Sequence, residues 1–192
     1  KLRRLLKKFD FKKIYDLQNS SRTSFYRKFL LNAPEWSSTE TTLKKGQKKI
    51  DFDNEAVLER FKIQLEQSNI KTNFTLQPDF SWACIDVNKI INKFFGKQFI
   101  LLFPFCSPQL QHKKWNYFNE LIKIIRLKHS NIEIAIAPGP DEIEEAKKID
   151  AVSITNNDKP LNIMELAGLI KKASYVIAND TGPAHIAAHL GK

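Results

Sequence analysis

Tyr175-Val176-Ile177-Ala178-Asn179-Asp180-Thr181-Gly182-Pro183-Ala184-His185-Ile186-Ala187-Ala188 is the stretch on which the fold turns. Residues 175–178 read as a short buried strand, and 184–190 as a helix. Pro183 suits a helix's first turn, where a missing N–H is not felt. Strand, glycine-containing turn and helix make one βα unit of a parallel sheet, and such sheets bind ligands outside their carboxyl ends. Free N–H groups at the helix start, aided by the helix dipole, suit a phosphate. Gly182 permits a close backbone approach, while Asp180 and Thr181 add a sugar-hydroxyl acceptor and a phosphate donor. The same residues also read as a capping turn with no ligand, and the pattern alone leaves both readings open.

Working outward, the βα alternation repeats. The run Phe99-Ile100-Leu101-Leu102-Phe103 predicts a strand buried on both faces. A polar loop from Cys106 to Lys114 leads to a helix over 115–128, in which Trp115 is expected to pack in the core. A strand over 132–137 is halted by Pro138-Gly139-Pro140 and followed by a helix over 141–149. A weak strand over 151–154 and a helix over 163–173 complete a doubly wound pattern. Towards the start, the spacing of Leu2, Leu5, Leu6 and Phe9 predicts an amphipathic helix. Lys13-Ile14-Tyr15-Asp16 reads as a strand, and 23–30 as a helix. Residues 32–50 read as a polar loop, 54–67 as a helix, and 70–86 as short strands and turns. A helix over 87–95 would end at Gly96 as its C-cap. The domain boundary is placed near 96, giving partial domains 1–96 and 97–192.

With 42% hydrophobic and 27% charged residues among 192, the composition is that of a globular chain rather than a disordered one. Cys84 and Cys106 are too few for a disulfide framework and lack metal-ligand spacing, so a reduced, cytoplasmic protein is expected. No apolar run approaches the ~18 residues of a spanning helix. Residues 1–50 hold 14 Lys and Arg against 4 Asp and Glu, whereas the remainder is neutral. So confined an excess points to an anionic partner, with Lys7, Lys8, Lys12 and Lys13 as candidate contacts to a membrane surface. A merely solvated Lys-rich surface remains the other reading.

Residues 179–188 closely resemble the D-[ST]-G-P-x-H-[LI]-A-A signature of the ADP-heptose:lipopolysaccharide heptosyltransferases, glycosyltransferase family 9. Pro104-Phe105-Cys106-Ser107 with Lys113-Lys114-Trp115 resembles the family's P-G-x-S … K-x-W-P. Gly139-Pro140-Asp141-Glu142 resembles its G-x-x-D/E-E turn, and residues 161–173 its L-x-[LI]-x-E-L-A-x-L-I-x-x-A helix. Phe9-Asp10, Tyr15-Asp16-Leu17-Gln18 and Ser21-Arg22-Thr23-Ser24 resemble its F-D-x-x-x-D-L-Q-x-x-x-R-S region.

The resemblance implies a GT-B type α/β fold of two Rossmann-like domains with parallel sheets, both incomplete here. It implies an inverting, metal-independent transfer of heptose from ADP-heptose to a lipid A–core acceptor, with no cofactor; no nucleic acid partner is expected, because the basic stretch itself carries no recognition motif. The basic first fifty residues, for their part, would hold such a cytoplasmic protein peripherally on the inner face of the inner membrane. Carried over, Asp180 would hold heptose hydroxyls, Thr181 and Gly182 the diphosphate, and Lys113 would neutralise phosphate. Ser107 would donate to phosphate, Glu142 accept from ribose, and Leu161 lie against adenine. His185 would touch the diphosphate or cap its helix.

The sequence departs from the pattern at Phe105, where the family has Gly, and at Asn116, where it has Pro. The family's G-D-x-[LIV] loop has no counterpart, so the general base is unassigned and expected upstream of Lys1. Both ends read as cuts through a longer protein, and the fragment alone is expected to be inactive. The competing readings are a non-catalytic nucleotide-sugar-binding relative, a transferase of another nucleotide sugar, and a basic nucleic-acid module, for which no recognition motif is present.

Overall fold

The structure is a computed structural model that describes residues 2–6, 8–31, 34–96 and 98–192; Lys7 of the basic segment lies outside the described residues. Two compact units, Lys1–Pro78 and Asp79–Lys192, make up the chain. Each is α/β with a parallel sheet, the fold class read from the sequence.

The first unit opens with α1 (Leu2–Leu6) and β1 (Lys13–Tyr15). Ser20 then caps α2 (Ser21–Phe25), accepting from the Thr23 N–H at 3.2 Å while Thr23 Oγ1 accepts from the Ser20 N–H at 2.9 Å. One π-helical turn, Tyr26–Leu30, extends that helix. Within the expected loop 32–50, Glu35–Ser37 forms β2, parallel to β1 with Lys13 opposite Glu35, and is followed by α3 (Thr39–Thr42). Next come α4 (Lys49–Asp53) and α5 (Val57–Glu66). The α5 residue Gln64 is fully buried: its Nε2 donates to the Asp16 and Ser37 carbonyls at 3.0 and 2.9 Å, and its Oε1 accepts from Asn19 Nδ2 at 3.1 Å. One amide thereby joins the exits of both strands. No strand occurs over 70–86 among the described residues.

In the second unit, a 3-10 turn (Ser81–Ala83) and α6 (Asn88–Ile91) precede β3 (Phe99–Phe103). α6 is shorter than the expected 87–95, and Gly96 does not take the left-handed conformation of a C-cap. Then follow α7 (Phe118–Lys128), β4 (Glu133–Ile136), α8 (Ile143–Ala146), β5 (Val152–Ser153), α9 (Ile163–Lys172), β6 (Tyr175–Ala178) and α10 (Gly182–His189). The sheet order is β5-β4-β3-β6, all parallel. Alternation along β3 sends Phe99, Leu101 and Phe103 into one core and Leu102 into another, so helices cover both faces.

The units divide after Pro78, not near 96. Val87, Ile90, Ile91 and Phe95 are buried in the first of those cores, against Ala167, Leu169 and Ile170 of α9. Backbone contact is close there: a Cβ on Gly168 would lie 2.2 Å from the Ile85 carbonyl oxygen. Residues 79–96 are therefore a packed layer of the second unit.

Candidate active site

From β3 the sheet grows towards β4 and β5, then reverses so that β6 lies on β3's other side. That reversal parts the loops after β3 and β6 and leaves a crevice at their carboxyl ends. Two cavities occupy it. One, of about 380 Å³, is lined by Cys106, Ser107, Leu110, Lys113, Asp180, Thr181, Gly182 and His185. The other, of about 220 Å³, has mainly apolar walls, among them Phe103, Phe105, Ala137, Leu161 and Pro183, with Glu142 and Gly139 on its lining. Thr181 borders both. All eight residues singled out from the sequence thus line one cavity or the other.

In the first cavity, Lys113 Nζ donates to Asp180 Oδ2 at 2.5 Å, and His185 Nε2 lies 3.6 Å from Asp180 Oδ1. The Lys113 hydrogen bond, and then its charge, hold the Asp180 carboxyl below the ordinary carboxylate value; desolvation opposes this, and His185 adds a smaller lowering. Asp180 is more than half exposed, so this charge faces open space. Thr181 is the N-cap of α10, and its Oγ1 donates to the Asn179 carbonyl at 3.3 Å. Among the described residues the Gly182 N–H has no hydrogen-bond partner, and a Cβ there would meet nothing within 4 Å. An unpaired N–H, a helix N-terminus and an ammonium group surround one cavity, donors of the kind that hold an anion, with the Asp180 carboxylate paired to the ammonium. Ser107 is exposed at the start of the turn Pro108–Lys113, its hydroxyl donating to Gln109 Oε1.

In the second cavity, Glu142 caps its own turn: Oε2 accepts from the Gly139 N–H at 2.7 Å. That bond fixes the carboxylate on the lining and leaves its other oxygen to a ligand hydroxyl. Leu161 is half-buried and packs on the α9-side core. Phe105, the departure from Gly, is buried at 6% in the core with Leu102, Phe118 and Ile122. Its φ is not in the left-handed region, so the backbone there needs no glycine. Trp115 is half exposed instead of enclosed, with its ring edge-on to Phe118 at 5.2 Å. His189 stacks on Phe80 away from both cavities. Among the described residues no three His, Cys, Asp or Glu side chains are grouped to hold a metal.

Asn179 was not singled out from the sequence. It is 6% exposed, and its amide reaches both limbs of the crevice: Nδ2 donates to the Pro104 carbonyl at 2.9 Å, and Oδ1 accepts from the Trp115 N–H at 3.1 Å. The sequence signal was only a polar amide closing an apolar strand, which the structure leaves half-buried with Tyr175 exposed rather than enclosed; its partners lie too far along the chain to be read.

The model of glycosyltransferase family 9 (heptosyltransferase) matches residues 1–192. A lipopolysaccharide core heptosyltransferase of Haemophilus influenzae is 31% identical over 102 residues, covering 50% of this chain and 29% of that protein. The structure of E. coli heptosyltransferase WaaC with ADP-2-deoxy-2-fluoro heptose superposes on 99% of this chain and 62% of its own, with TM-score 0.64 and 16% identity. The E. coli ADP-heptose lps heptosyltransferase II structure gives TM-score 0.60 at 15% identity, covering 100% of this chain and 62% of its own. The chain therefore spans less than two thirds of the length of these relatives, and shares with the solved ones the α/β fold of GT-B type. With its whole length matched and the DTGPxH turn set at the sheet's reversal point, the chain belongs to glycosyltransferase family 9.

Proposed function

We propose that the protein transfers heptose from ADP-heptose to a lipopolysaccharide inner-core acceptor, with inversion and without a metal. The observation that carries this reading is the pairing of an anion-binding cavity with an apolar cavity through Thr181. A nucleoside diphosphate has that bipartite chemistry: adenine against Leu161, ribose on Glu142, and diphosphate on Lys113, Ser107 and the start of α10. Asp180 accepts from heptose hydroxyls, and His185 lies within reach of the diphosphate. In the reaction the acceptor oxygen attacks the anomeric carbon from the face opposite the diphosphate. The bond from that carbon to the β-phosphate oxygen breaks, its electron pair leaves with ADP, and the acceptor proton passes to a base. Lys113 and the free N–H groups stabilise charge developing on departing ADP. No residue of this chain is assigned as the base. Residues 79–192 form the nucleotide-sugar unit, and residues 1–78 belong to the acceptor side.

The family match and the WaaC structure with an ADP-heptose analogue support this donor. Calorimetric titration with ADP and with UDP tests it, followed by an assay of the full reading frame with ADP-heptose and lipid acceptor. Preferential ADP binding supports the reading, UDP preference moves the donor to another sugar, and turnover absent in the full reading frame despite ADP binding makes the protein a binding-only relative.

The basic first fifty residues are assigned to an anionic surface, the cytoplasmic leaflet or the acceptor's own phosphates. No described helix is long and apolar enough to cross a membrane. Lys12 pairs with Asp10 at 2.6 Å and Lys13 with Glu35 at 2.6 Å, the latter across β1 and β2. Charge reversal at Lys8 and Lys12 spares that strand pair and should weaken binding to anionic vesicles at low salt; unchanged binding would remove the assignment.

A further inference from the structure

We infer that Asn179 is a positioning residue that sets the geometry of the anion-binding cavity, an inference that rests on reading that cavity as the diphosphate site. Three stretches of chain build the cavity: Cys106 and Ser107, Lys113, and Asp180 to Gly182. One buried amide touches the backbone beside each. Its Nδ2 donates to the Pro104 carbonyl at 2.9 Å and the Phe105 carbonyl at 3.5 Å, which turns the chain so that Cys106 and Ser107 enter the cavity. Its Oδ1 accepts from the Trp115 N–H at 3.1 Å, two residues beyond Lys113. Its own N–H donates to the Phe103 carbonyl at 3.1 Å, so Asp180 leaves the sheet from a fixed point.

The task needs a donor and an acceptor on one short side chain. Aspartate keeps the acceptor for Trp115 but turns negative charge on two carbonyl oxygens, alanine leaves all three groups unpaired, and leucine adds bulk without a polar atom. Asn179 lines neither cavity, so it acts through the groups it holds.

The test compares Asn179→Ala and Asn179→Asp with wild type, using Ile122→Val, a fully buried core change on α7, as the control for lost stability. Affinities for ADP and adenosine are measured well below each variant's Tm. Both Asn179 variants should lose ADP affinity on the order of tenfold or more, as misplaced binding groups do. Adenosine, held in the other cavity, should bind as in wild type, and Ile122→Val should bind both normally. Parallel loss of ADP and adenosine, or no loss of either, overturns the inference. A second readout needs no nucleotide: in Asn179→Ala the Asp180 carboxyl, followed by NMR, should titrate nearer its ordinary value because Lys113 is no longer held against it. An unchanged titration overturns the inference. Wild type that binds neither ligand overturns the functional reading instead, and the Asp180 titration then decides the inference by itself.

Discussion

Lys113 Nζ meets Asp180 Oδ2 at 2.5 Å across 67 residues of sequence, joining the loop after β3 to the turn after β6. Because this contact depresses the Asp180 value in the folded protein, the carboxylate persists below the ordinary value of about 3.9. The pair's contribution is complete above that ordinary value and is lost as pH falls through the depressed one. NMR titration of Asp180 should show the downward displacement, and Lys113→Met should return it towards the ordinary value. A wild-type carboxyl titrating at the ordinary value would show that the pair does not persist in solution.

Removing either member should affect ADP differently. A charge-assisted hydrogen bond is worth roughly 1.5–3 kcal/mol. Lys113 is more than a third exposed, and solvent screening places it at the low end, so Lys113→Met should weaken ADP binding about tenfold. Asp180→Asn removes an anion from beside the diphosphate, so ADP should bind at least as tightly while sugar transfer falls. Calorimetry with ADP, and a turnover assay of the full reading frame, separate the two.

Phe105 stands where relatives with the P-G-x-S pattern have glycine, yet its ring fills a core position instead of the anion cavity. Phe105→Gly should therefore cost at least the ~3–5 kcal/mol of a buried Phe→Ala change, with no gain in ADP affinity. Urea denaturation and ADP titration check the two halves of this expectation.

Gly168 sits inside α9, where alanine would ordinarily stabilise a helix by roughly 0.5–1 kcal/mol. Here the added methyl would meet the Ile85 carbonyl oxygen at 2.2 Å and Val87 Cγ1 at 3.1 Å. Gly168→Ala should thus destabilise by about 1–3 kcal/mol or more, since the nearer obstacle is backbone. A stabilised variant would show that residues 79–96 do not pack on α9 as described.

The second unit was legible because two of its strands are continuous apolar runs: Phe99–Phe103 and Tyr175–Ala178 fall where the hydrophobic pattern puts them. The eight candidate residues came from motif resemblance, while their convergence on two neighbouring cavities needed the sheet order. β2 escaped because Glu35-Trp36-Ser37 has no apolar run; it is a strand only through its register with β1. Asn179 escaped for a related reason, since an amide's value lies in partners that spacing does not reveal. The boundary near 96 followed the most hydrophobic strand and overlooked the shorter apolar set Val87, Ile90, Ile91 and Phe95, which packs on α9.

Because β6 pairs with β3 while β4 and β5 lie between them in sequence, the crevice is the most non-local feature among the described strands of the second unit. A chain emerging from the ribosome can assemble β3, β4 and β5 by neighbouring crossovers while still possessing no anion site. Closing the long β3–β6 pairing carries the largest loop entropy of the sheet, which sets it among the slower steps of folding. A ligand bound in that crevice would therefore stabilise only those molecules in which β6 has docked on β3, tying occupancy of the crevice to completion of this one pairing.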